Sequence, residues 1–234
     1  MSQKVALISG GTLGIGKNLV SLFLKNGIKV ITFSRKKSNI NSLIKEFAEY
    51  KDDLICYQGD VSEPKDVKRI ASNVKNKFKK INYLINNSGT NVLNPVEKIK
   101  LEDWRRIIDV NLTGVFILTK AILPLLKKDS LILNMGSLAS RNGFPNWSAY
   151  CASKYGLKGF TEALRQEVRP KNIRVVHAEI GATDTAIWDN LTGEWDRSGM
   201  MQDIEVAEIL YESITSKKSV NIDEIFLMPP GGIM

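Results

Sequence analysis

Tyr150 and Lys154 are the pair of residues whose types and spacing best suit proton transfer. They lie four positions apart in the segment Tyr-Cys-Ala-Ser-Lys, and on a helix that spacing places the phenol and the ammonium on one face. A phenol has an ordinary pKa of about 10, and a cation held close to it favours the phenolate, bringing the group toward the range where it exchanges protons. We therefore expect this pair to provide the acid of a carbonyl reductase. The alternative is a surface pair without chemistry, because the same spacing is common on any helix.

A glycine-rich turn near the start of the chain could hold a phosphate group. Gly10, Gly11, Gly14 and Gly16 follow the apolar run Val5–Ser9. Between a strand and a helix, such glycines let the backbone approach a pyrophosphate while the helix N–H groups face its charge. The spacing Gly-x-x-x-Gly-x-Gly differs from the more common Gly-x-Gly-x-x-Gly fingerprint, and an ordinary tight turn is the alternative. Its position after a predicted strand favours phosphate binding.

The segment after the second predicted strand favours a cofactor that carries a 2′-phosphate. A cofactor without this phosphate needs an acidic residue there to hold the ribose hydroxyls, whereas the chain has Ser34, Arg35, Lys36 and Lys37. The guanidinium of Arg35 and the hydroxyl of Ser34 are suited to hydrogen-bond a phosphate. We therefore expect NADP(H) as the cofactor. The alternative is that this segment is only a solvated basic loop.

Composition limits the other classes of function. The chain has 234 residues, 43% of them hydrophobic, and this length suits one α/β domain, 1–234. Cys56 and Cys151 are far apart in sequence, so neither a disulfide framework nor a zinc site is indicated, and both are expected to pack as small residues. The single histidine, His177, lies in an apolar run without further ligands and is interpreted as structural. No metal is expected.

The formal net charge of +8 is compatible with a polyanionic partner, but its pattern does not favour one. Lysines between 65 and 80 recur on the polar face of a predicted amphipathic helix, without the aromatic residues that stack on bases. We expect no nucleic-acid partner. The N-terminal apolar run is too short for a signal sequence, and no run approaches the roughly 18 residues of a membrane span. We therefore expect a soluble, cytoplasmic protein with no membrane partner.

Short apolar runs alternate with longer segments of helical period along the chain. This alternation predicts a Rossmann-type, doubly wound α/β fold in a single domain, with a parallel sheet, helices on both faces and ligands at the carboxyl ends of the strands. The stretch 186–203 breaks the alternation and is predicted to be a substrate lid. The predicted strands cover 5–9, 29–33, 54–58, 83–86, 131–135, 173–179 and 224–228, and the predicted helices cover 15–26, 40–50, 64–79, 101–126, 147–168 and 204–215.

Several short motifs together resemble the classical short-chain dehydrogenase/reductase family. The glycine turn is followed, in the family's order and spacing, by Asn-Asn-Ser-Gly at 86–89, by Asn111, by Ser137 and by the pair Tyr150 and Lys154. The resemblance extends over about residues 5–185. It implies a doubly wound fold and hydride transfer between a nicotinamide cofactor and a carbonyl or alcohol carbon.

The resemblance also implies a catalytic tetrad. Tyr150 would be the general acid/base, and Ser137 would hold the substrate oxygen. Lys154 would bind the nicotinamide ribose and lower the pKa of Tyr150, while Asn111 would interrupt its helix and hold a water molecule for proton relay. The implied cofactor-binding residues, in which Asp60 and Val61 match the family's adenine-binding pair, are Gly10, Thr12, Leu13, Gly14, Ile15, Gly16, Ser34, Arg35, Asp60, Val61, Asn87, Ser88, Gly89, Tyr150, Lys154, Ile180, Gly181, Thr183 and Thr185.

The sequence departs from the family pattern at several of these positions. Leu13 stands where many NADP-using members have a basic side chain, which weakens the argument for NADP. After the sixth predicted strand, the family's Pro-Gly pair is Ile180-Gly181 and its usual valine is Thr183. The shape of this loop therefore stays open, although Thr185 still matches the family's threonine.

The residues leave the substrate undetermined. Phe144 and Trp147, near the implied catalytic groups, together with the stretch 186–203, predict an apolar-walled pocket for an extended or aromatic carbonyl compound. A 3-oxoacyl thioester or another small ketone or aldehyde stays open. A nucleotide-sensing protein on the same fold is an alternative class, which loss of Tyr150 or Lys154 would have favoured. The resemblance further implies a homodimer or homotetramer.

Overall fold

The computed structural model describes residues 3–191, 193–216 and 219–232. Their secondary structure follows the predicted alternation of strands and helices. The strands are β1 (Val5–Ser9), β2 (Lys29–Ser34), β3 (Leu54–Gln58), β4 (Ile81–Asn86), β5 (Leu126–Met135), β6 (Arg174–Ile180), β7 (Thr183–Asp184), β8 (Met201–Gln202) and β9 (Glu224–Leu227). The α-helices are α1 (Gly14–Lys25), α2 (Lys37–Glu46), α3 (Pro64–Lys77), α4 (Leu101–Ile108), α5 (Gly114–Ile122), α6 (Ser148–Val168) and α7 (Asp203–Thr215).

Seven of these strands form one parallel sheet in the order β3-β2-β1-β4-β5-β6-β9. The chain adds strands outward from β1 to β3, and then returns to the other side of β1 to begin β4. The winding direction therefore reverses between β1 and β4, which leaves a crevice at their carboxyl ends. The predicted Rossmann-type doubly wound fold is confirmed.

A hydrophobic core lies on each face of the sheet. On one face, Leu19 and Phe23 of α1 pack with Leu210 of α7 over the strands. On the other face, side chains of α3, α5 and α6 such as Leu118 and Leu164 form a second cluster. Because both faces are covered, the central strands are apolar almost throughout, as parallel strands must be.

The predicted helix 101–126 is wrong in its continuity and in its end. The structure breaks it into α4, a π-helical segment at Asp109–Thr113 and α5, followed by a 3₁₀ turn at Leu123–Leu125. Strand β5 then begins at Leu126, five residues before the predicted start at 131. Insertions of a π turn into an α-helix are common at functional sites, and this one contains Asn111.

The expectation that no segment reaches membrane length also needs correction. By length and composition, the helical stretch Leu101–Leu125 could cross a membrane, with a mean hydropathy of 1.6 over its best window. In this fold its apolar side chains form part of the core, because Leu118 and Ile122 are fully buried against the sheet. The core helix of an α/β domain needs the same composition.

The predicted lid, 186–203, is bracketed by a small second sheet that the sequence did not predict. Strands β7 and β8 pair in parallel, with Thr183 opposite Met201. Between them the chain forms a 3₁₀ turn at Trp188–Asn190, and α7 starts directly after β8. The two ends of the stretch are thus tied together, as in a compact surface loop.

The glycines offer a matched test of how tightly the turn after β1 is packed. A Cβ added to Gly16 would overlap the Asn87 side chain and the Gly10 carbonyl oxygen, whereas a Cβ on Gly159 of α6 would enter open space. We expect Gly16→Ala to lower the melting temperature and to weaken dinucleotide binding. Gly159→Ala should raise stability by up to about 1 kcal/mol, because alanine is the better helix former. Thermal unfolding of both variants measures this, and equal shifts would contradict the packing argument.

Candidate active site

The turn after β1 leaves the N-terminus of α1 open to a ligand. Gly10 and Gly14 have positive φ angles of 68° and 54°, which residues with a Cβ rarely adopt. No side chain caps the first turn of α1, so that its N–H groups and its dipole face the crevice. A Cβ on Gly10 would lie 3.0 Å from the Ser88 hydroxyl oxygen. This is a cradle for an anionic group such as a pyrophosphate.

Hydrogen bonds join this turn to the segment after β4. The Ser9 hydroxyl oxygen accepts the backbone N–H groups of Asn87 and Ser88, each at 3.1 Å. The Asn87 amide nitrogen donates to the carbonyl oxygens of Ser9 at 3.3 Å and of Gly10 at 3.0 Å. The two loops on either side of the crevice are therefore held as one unit.

A continuous cleft of about 1110 Å³ runs across the carboxyl ends of the strands. Every residue that the sequence assigned to cofactor binding lines it, together with Ser137. Asn111 is the exception, because its side chain is fully buried beneath the cleft. Lining residues that the sequence analysis did not predict include Asn39, Asn91 and Arg106. They come from chain segments that are far apart in sequence.

At one end of the cleft stands the predicted site for a 2′-phosphate. Ser34, Arg35 and Lys36 line it. The Arg35 side chain is about half exposed, and its Nε lies 3.7 Å from Oδ2 of Asp60. Leu13, where a basic residue was considered for NADP, is 51% exposed in the same cleft. Two basic residues, Arg35 and Lys36, thus line this part of the cleft.

The loop after β6 closes over the glycine turn. The Gly181 N–H donates to the Leu227 carbonyl oxygen at 2.9 Å, anchoring the loop to β9. A Cβ on Gly14 would lie 3.3 Å from Cγ2 of Thr185, so the two loops pass close to each other. The replacement of the family's proline by Ile180 therefore leaves this loop beside the cleft.

Tyr150 and Ser137 form the polar centre of the cleft. Tyr150 is 9% exposed and lies beside the Ser137 side chain. Burial raises the pKa of Tyr150 to about 12, while the Ser137 side chain acts in the opposite direction. The phenol is therefore protonated at neutral pH.

Lys154 lies close to Tyr150 in the same cleft. Its Nζ lies 5.4 Å from the centroid of the Tyr150 ring, over the ring, and it donates to the Met135 carbonyl oxygen at 2.7 Å. Burial lowers the pKa of Lys154 itself to about 8. The role expected of Lys154, to lower the pKa of Tyr150, stays a prediction.

Asn111 connects the π-helical segment to α6. Its Oδ1 accepts the Thr90 N–H at 2.8 Å, and its Nδ2 donates to the Thr90 carbonyl oxygen at 2.9 Å. The same Nδ2 donates to the Ser153 hydroxyl oxygen at 3.0 Å. The predicted interruption of the helix is present at Asp109–Thr113. A role in holding a water molecule stays a prediction.

Behind Ser137 lie two buried titratable residues, His177 and Glu179. His177 in β6 is fully buried, with its Nε2 3.3 Å from the Ser140 hydroxyl oxygen. That hydroxyl accepts the Ser137 N–H at 3.2 Å. Glu179, also fully buried, pairs with Lys158 at 2.9 Å and with Arg141. The structural interpretation of His177 fits this position, since its ring supports the turn that carries Ser137.

On the other side of Tyr150, a set of aromatic rings lines the cleft. We call Phe144, Trp147, Trp188 and Trp195 the aromatic wall. The Trp147 ring centroid lies 5.5 Å from that of Tyr150, 6.1 Å from Trp188 and 6.4 Å from Trp195. Phe144 and Trp147 were predicted to bound a pocket, and both line the cleft.

The reversal of strand order at a glycine turn defines the class of dinucleotide-binding α/β proteins. Comparisons with known proteins agree, since the family model for short chain dehydrogenases matches residues 4–195. A 3-oxoacyl-[acyl-carrier-protein] reductase of Synechocystis sp. is 32% identical over 197 residues, or 83% of this chain and 80% of that protein. An NADP-dependent 3-hydroxy acid dehydrogenase of Schizosaccharomyces pombe is 28% identical over an alignment of 245 positions, gaps included, which covers 98% of this chain and 93% of that protein.

A solved structure shows the same fold. The alcohol dehydrogenase of the archaeon Thermococcus sibiricus, complexed with 5-hydroxy-NADP, superimposes with a TM-score of 0.90 at 23% identity, covering 98% of this chain and 97% of that one. The chain belongs to the short-chain dehydrogenase family. It is thus an oxidoreductase of a family that uses NAD or NADP.

Burial of His177 predicts a loss of stability in mild acid. Burial lowers the pKa of His177 to about 4 from an ordinary 6.5. Between these pH values the unfolded chain binds the proton and the folded chain does not, so stability is full above pH 6.5 and falls as the pH decreases. Between pH 6.5 and pH 4.5 the loss should amount to roughly 2 kcal/mol. Urea unfolding at pH 6.5 and pH 4.5 measures it.

The variant His177→Gln serves as the comparison for this measurement. It keeps a polar group at the site but does not titrate, so its free energy of unfolding should change less between the two pH values. Carboxylates that are common to both proteins contribute to the slope of the free energy of unfolding against pH in both. An identical slope in the two proteins would mean that His177 is not held neutral by the fold.

Proposed function

We propose that this protein is an NADP(H)-dependent oxidoreductase that transfers a hydride between the nicotinamide and a carbonyl or alcohol carbon, with Tyr150 as general acid/base. One observation carries the proposal: a protonated, buried phenol beside Ser137 opens onto the same cleft as the uncapped N-terminus of α1. A dinucleotide that spans this cleft brings its two ends to chemically different places, one basic and one suited to proton transfer.

The preference for NADP(H) is supported by the basic end of the cleft. Arg35 offers a guanidinium and Ser34 a hydroxyl where a ribose 2′-phosphate would lie, and charge-assisted hydrogen bonds of this kind are about twice as strong as neutral ones. The S. pombe relative is named as NADP-dependent, and the archaeal structure holds 5-hydroxy-NADP. Asp60 pairs with Arg35 and so orients the guanidinium without removing it from the cleft.

In the direction of reduction, NADPH supplies the hydride. Ser137 holds the substrate oxygen, and Tyr150 donates its proton to that oxygen. The raised pKa of Tyr150 suits this direction, since an acid must be protonated before it can act. Lys154 is placed to contact the ribose, and Asn111 keeps α6 fixed relative to the loop after β4 through Ser153 and Thr90.

The stretch 186–203 is proposed to act as the substrate lid over this site. Its residues Trp188, Leu191 and Met200 line the cleft, and its ends are joined by β7 and β8. A small carbonyl or alcohol compound is the expected partner. Assembly as a homodimer or homotetramer remains a prediction, which the molecular mass in solution tests. A cytoplasmic location also remains a prediction.

Removing the phenol tests the proposed chemistry. Tyr150→Phe should reduce kcat by about 10²- to 10⁴-fold, which is the usual contribution of a general acid, and it should leave the affinity for NADPH nearly unchanged. Tyr155→Phe on the same helix is the matched control, because Tyr155 is exposed and lies outside the cleft. Stopped-flow oxidation of NADPH in the presence of a ketone substrate gives the rates. Equal turnover by wild type and Tyr150→Phe would exclude Tyr150 as the acid.

Removing the guanidinium tests the proposed cofactor preference. Arg35→Ala should weaken NADPH binding about tenfold or more, from the loss of a charged hydrogen bond, and should leave NADH binding unchanged. Lys37→Ala removes a neighbouring charge that does not line the cleft and serves as the control. Quenching of tryptophan fluorescence reports both affinities. If wild type prefers NADH, the assignment of Arg35 is wrong.

A further inference from the structure

The aromatic wall is held in place by bonds within the protein. The Trp188 indole N–H donates to the Thr183 carbonyl oxygen at 2.9 Å. Arg197 binds Asp184 at 3.2 Å and Asp189 at 2.5 Å, which ties the middle of the predicted lid to its base at β7. A binding surface that is already ordered does not pay for ordering when the ligand arrives. The wall therefore offers preformed ring surfaces to a substrate.

The wall is built differently from a core cluster. The centroids of Trp188 and Trp195 are 4.9 Å apart with the ring planes tilted by 55°, yet Trp195 remains 36% exposed. Rings packed only for stability would be covered, whereas these line an open cleft that leads to Tyr150. Flat aromatic groups interact with such rings by stacked or edge-to-face contacts, beyond what their buried area provides.

The mouth of the cleft beside the wall carries negative charge. Glu194 and Asp196 line it, and neither has an ion pair within the part of the chain that the structure describes. Asp189 is already paired with Arg197. Asp103 and Arg106, which also line the cleft, are of opposite sign. An anionic substrate would thus meet repulsion at the wall, while a neutral or cationic one would not.

A polar group inside the cleft lacks a partner. Asn91 is 6% exposed and lines the cleft, and its Oδ1 is buried without a hydrogen bond. No other lining side chain among the described residues has such an atom. A buried acceptor without a donor is unfavourable, so a rotation of this amide toward a ligand O–H or N–H would relieve it.

We propose that the substrate is a flat aromatic carbonyl compound, neutral or cationic and bearing an O–H or N–H group, and not an acyl thioester that carries phosphate groups. This inference depends on the proposed function, because it names the substrate class for the same site. The proposed substrate differs from the one in the name of the Synechocystis relative, a 3-oxoacyl-[acyl-carrier-protein] reductase.

The test uses matched pairs of ketones. Acetophenone is compared with cyclohexyl methyl ketone for the flat ring, and 4-hydroxyacetophenone with 4-methoxyacetophenone for the donor. Acetoacetyl-coenzyme A is compared with the acetoacetyl thioester of N-acetylcysteamine for the phosphate charge. Oxidation of NADPH is followed with wild type, Trp195→Leu and Asn91→Leu. Trp104→Leu on α4, outside the cleft, is the matched control for loss of an indole.

A conjugated ketone is intrinsically less reactive than a saturated one, so the diagnostic quantity is the change in the ratio of kcat/KM between wild type and variant. We expect Trp195→Leu to lower the aromatic-to-saturated ratio about tenfold, as the loss of one good ring contact does, and Trp104→Leu to leave it unchanged. Asn91→Leu should remove the preference for hydroxy over methoxy. The coenzyme A thioester should be a poorer substrate than its phosphate-free analogue.

The outcomes separate this inference from the proposed function. Efficient turnover of acetoacetyl-coenzyme A, or equal effects of Trp195→Leu on both rings, would overturn the aromatic substrate while leaving the oxidoreductase intact. NADPH binding without oxidation by any of these ketones would overturn both.

Discussion

The close approach of two backbone segments at the point where the sheet reverses its order is the constraint on which the site depends. The turn after β1 and the segment after β4 can meet only because Gly10 and Gly16 carry no side chain that would strike Ser88 or Asn87. The Ser9 hydroxyl then binds two N–H groups of the neighbouring segment. Since the loops bond to each other, the first N–H groups of α1 are left for a ligand. The same contact sets the position of the glycine turn relative to the segment after β4.

A chain of buried polar side chains fixes α6 to the sheet. Asn86 in β4 donates to Asn134 in β5 at 2.7 Å, and Asn134 donates to Thr161 in α6 at 2.9 Å. Asn111 reaches the same helix through Ser153. Asn86 Oδ1 is buried without a hydrogen-bond partner, but the paired groups of this network favour a single arrangement. Tyr150 and Lys154 are therefore held at a defined height above the strands, which a purely apolar contact between helix and sheet would specify less strictly.

Burial has opposite consequences for neighbouring titratable groups in this protein. It raises the pKa of Tyr150 and lowers those of Lys154 and His177, and in each case the neutral form is favoured. Glu179 is the exception. Burial opposes its ionisation, but hydrogen bonds from Lys158 and Arg141 lower its pKa. Glu179 keeps its charge because the fold places two cations in direct contact with it.

The sequence by itself determined the fold class, the positions of the seven sheet strands to within a few residues, and the glycine turn, because periodicity and backbone freedom are local properties. The types and order of Asn111, Ser137, Tyr150 and Lys154 were sufficient to indicate the family. Only the tertiary structure decided that the interruption at Asn111 is a π-helical segment, that β7 pairs with β8, and that the Trp147 ring contacts those of Trp188 and Trp195. These features depend on contacts between distant segments and on exclusion of water, neither of which can be read from neighbouring residues along the chain.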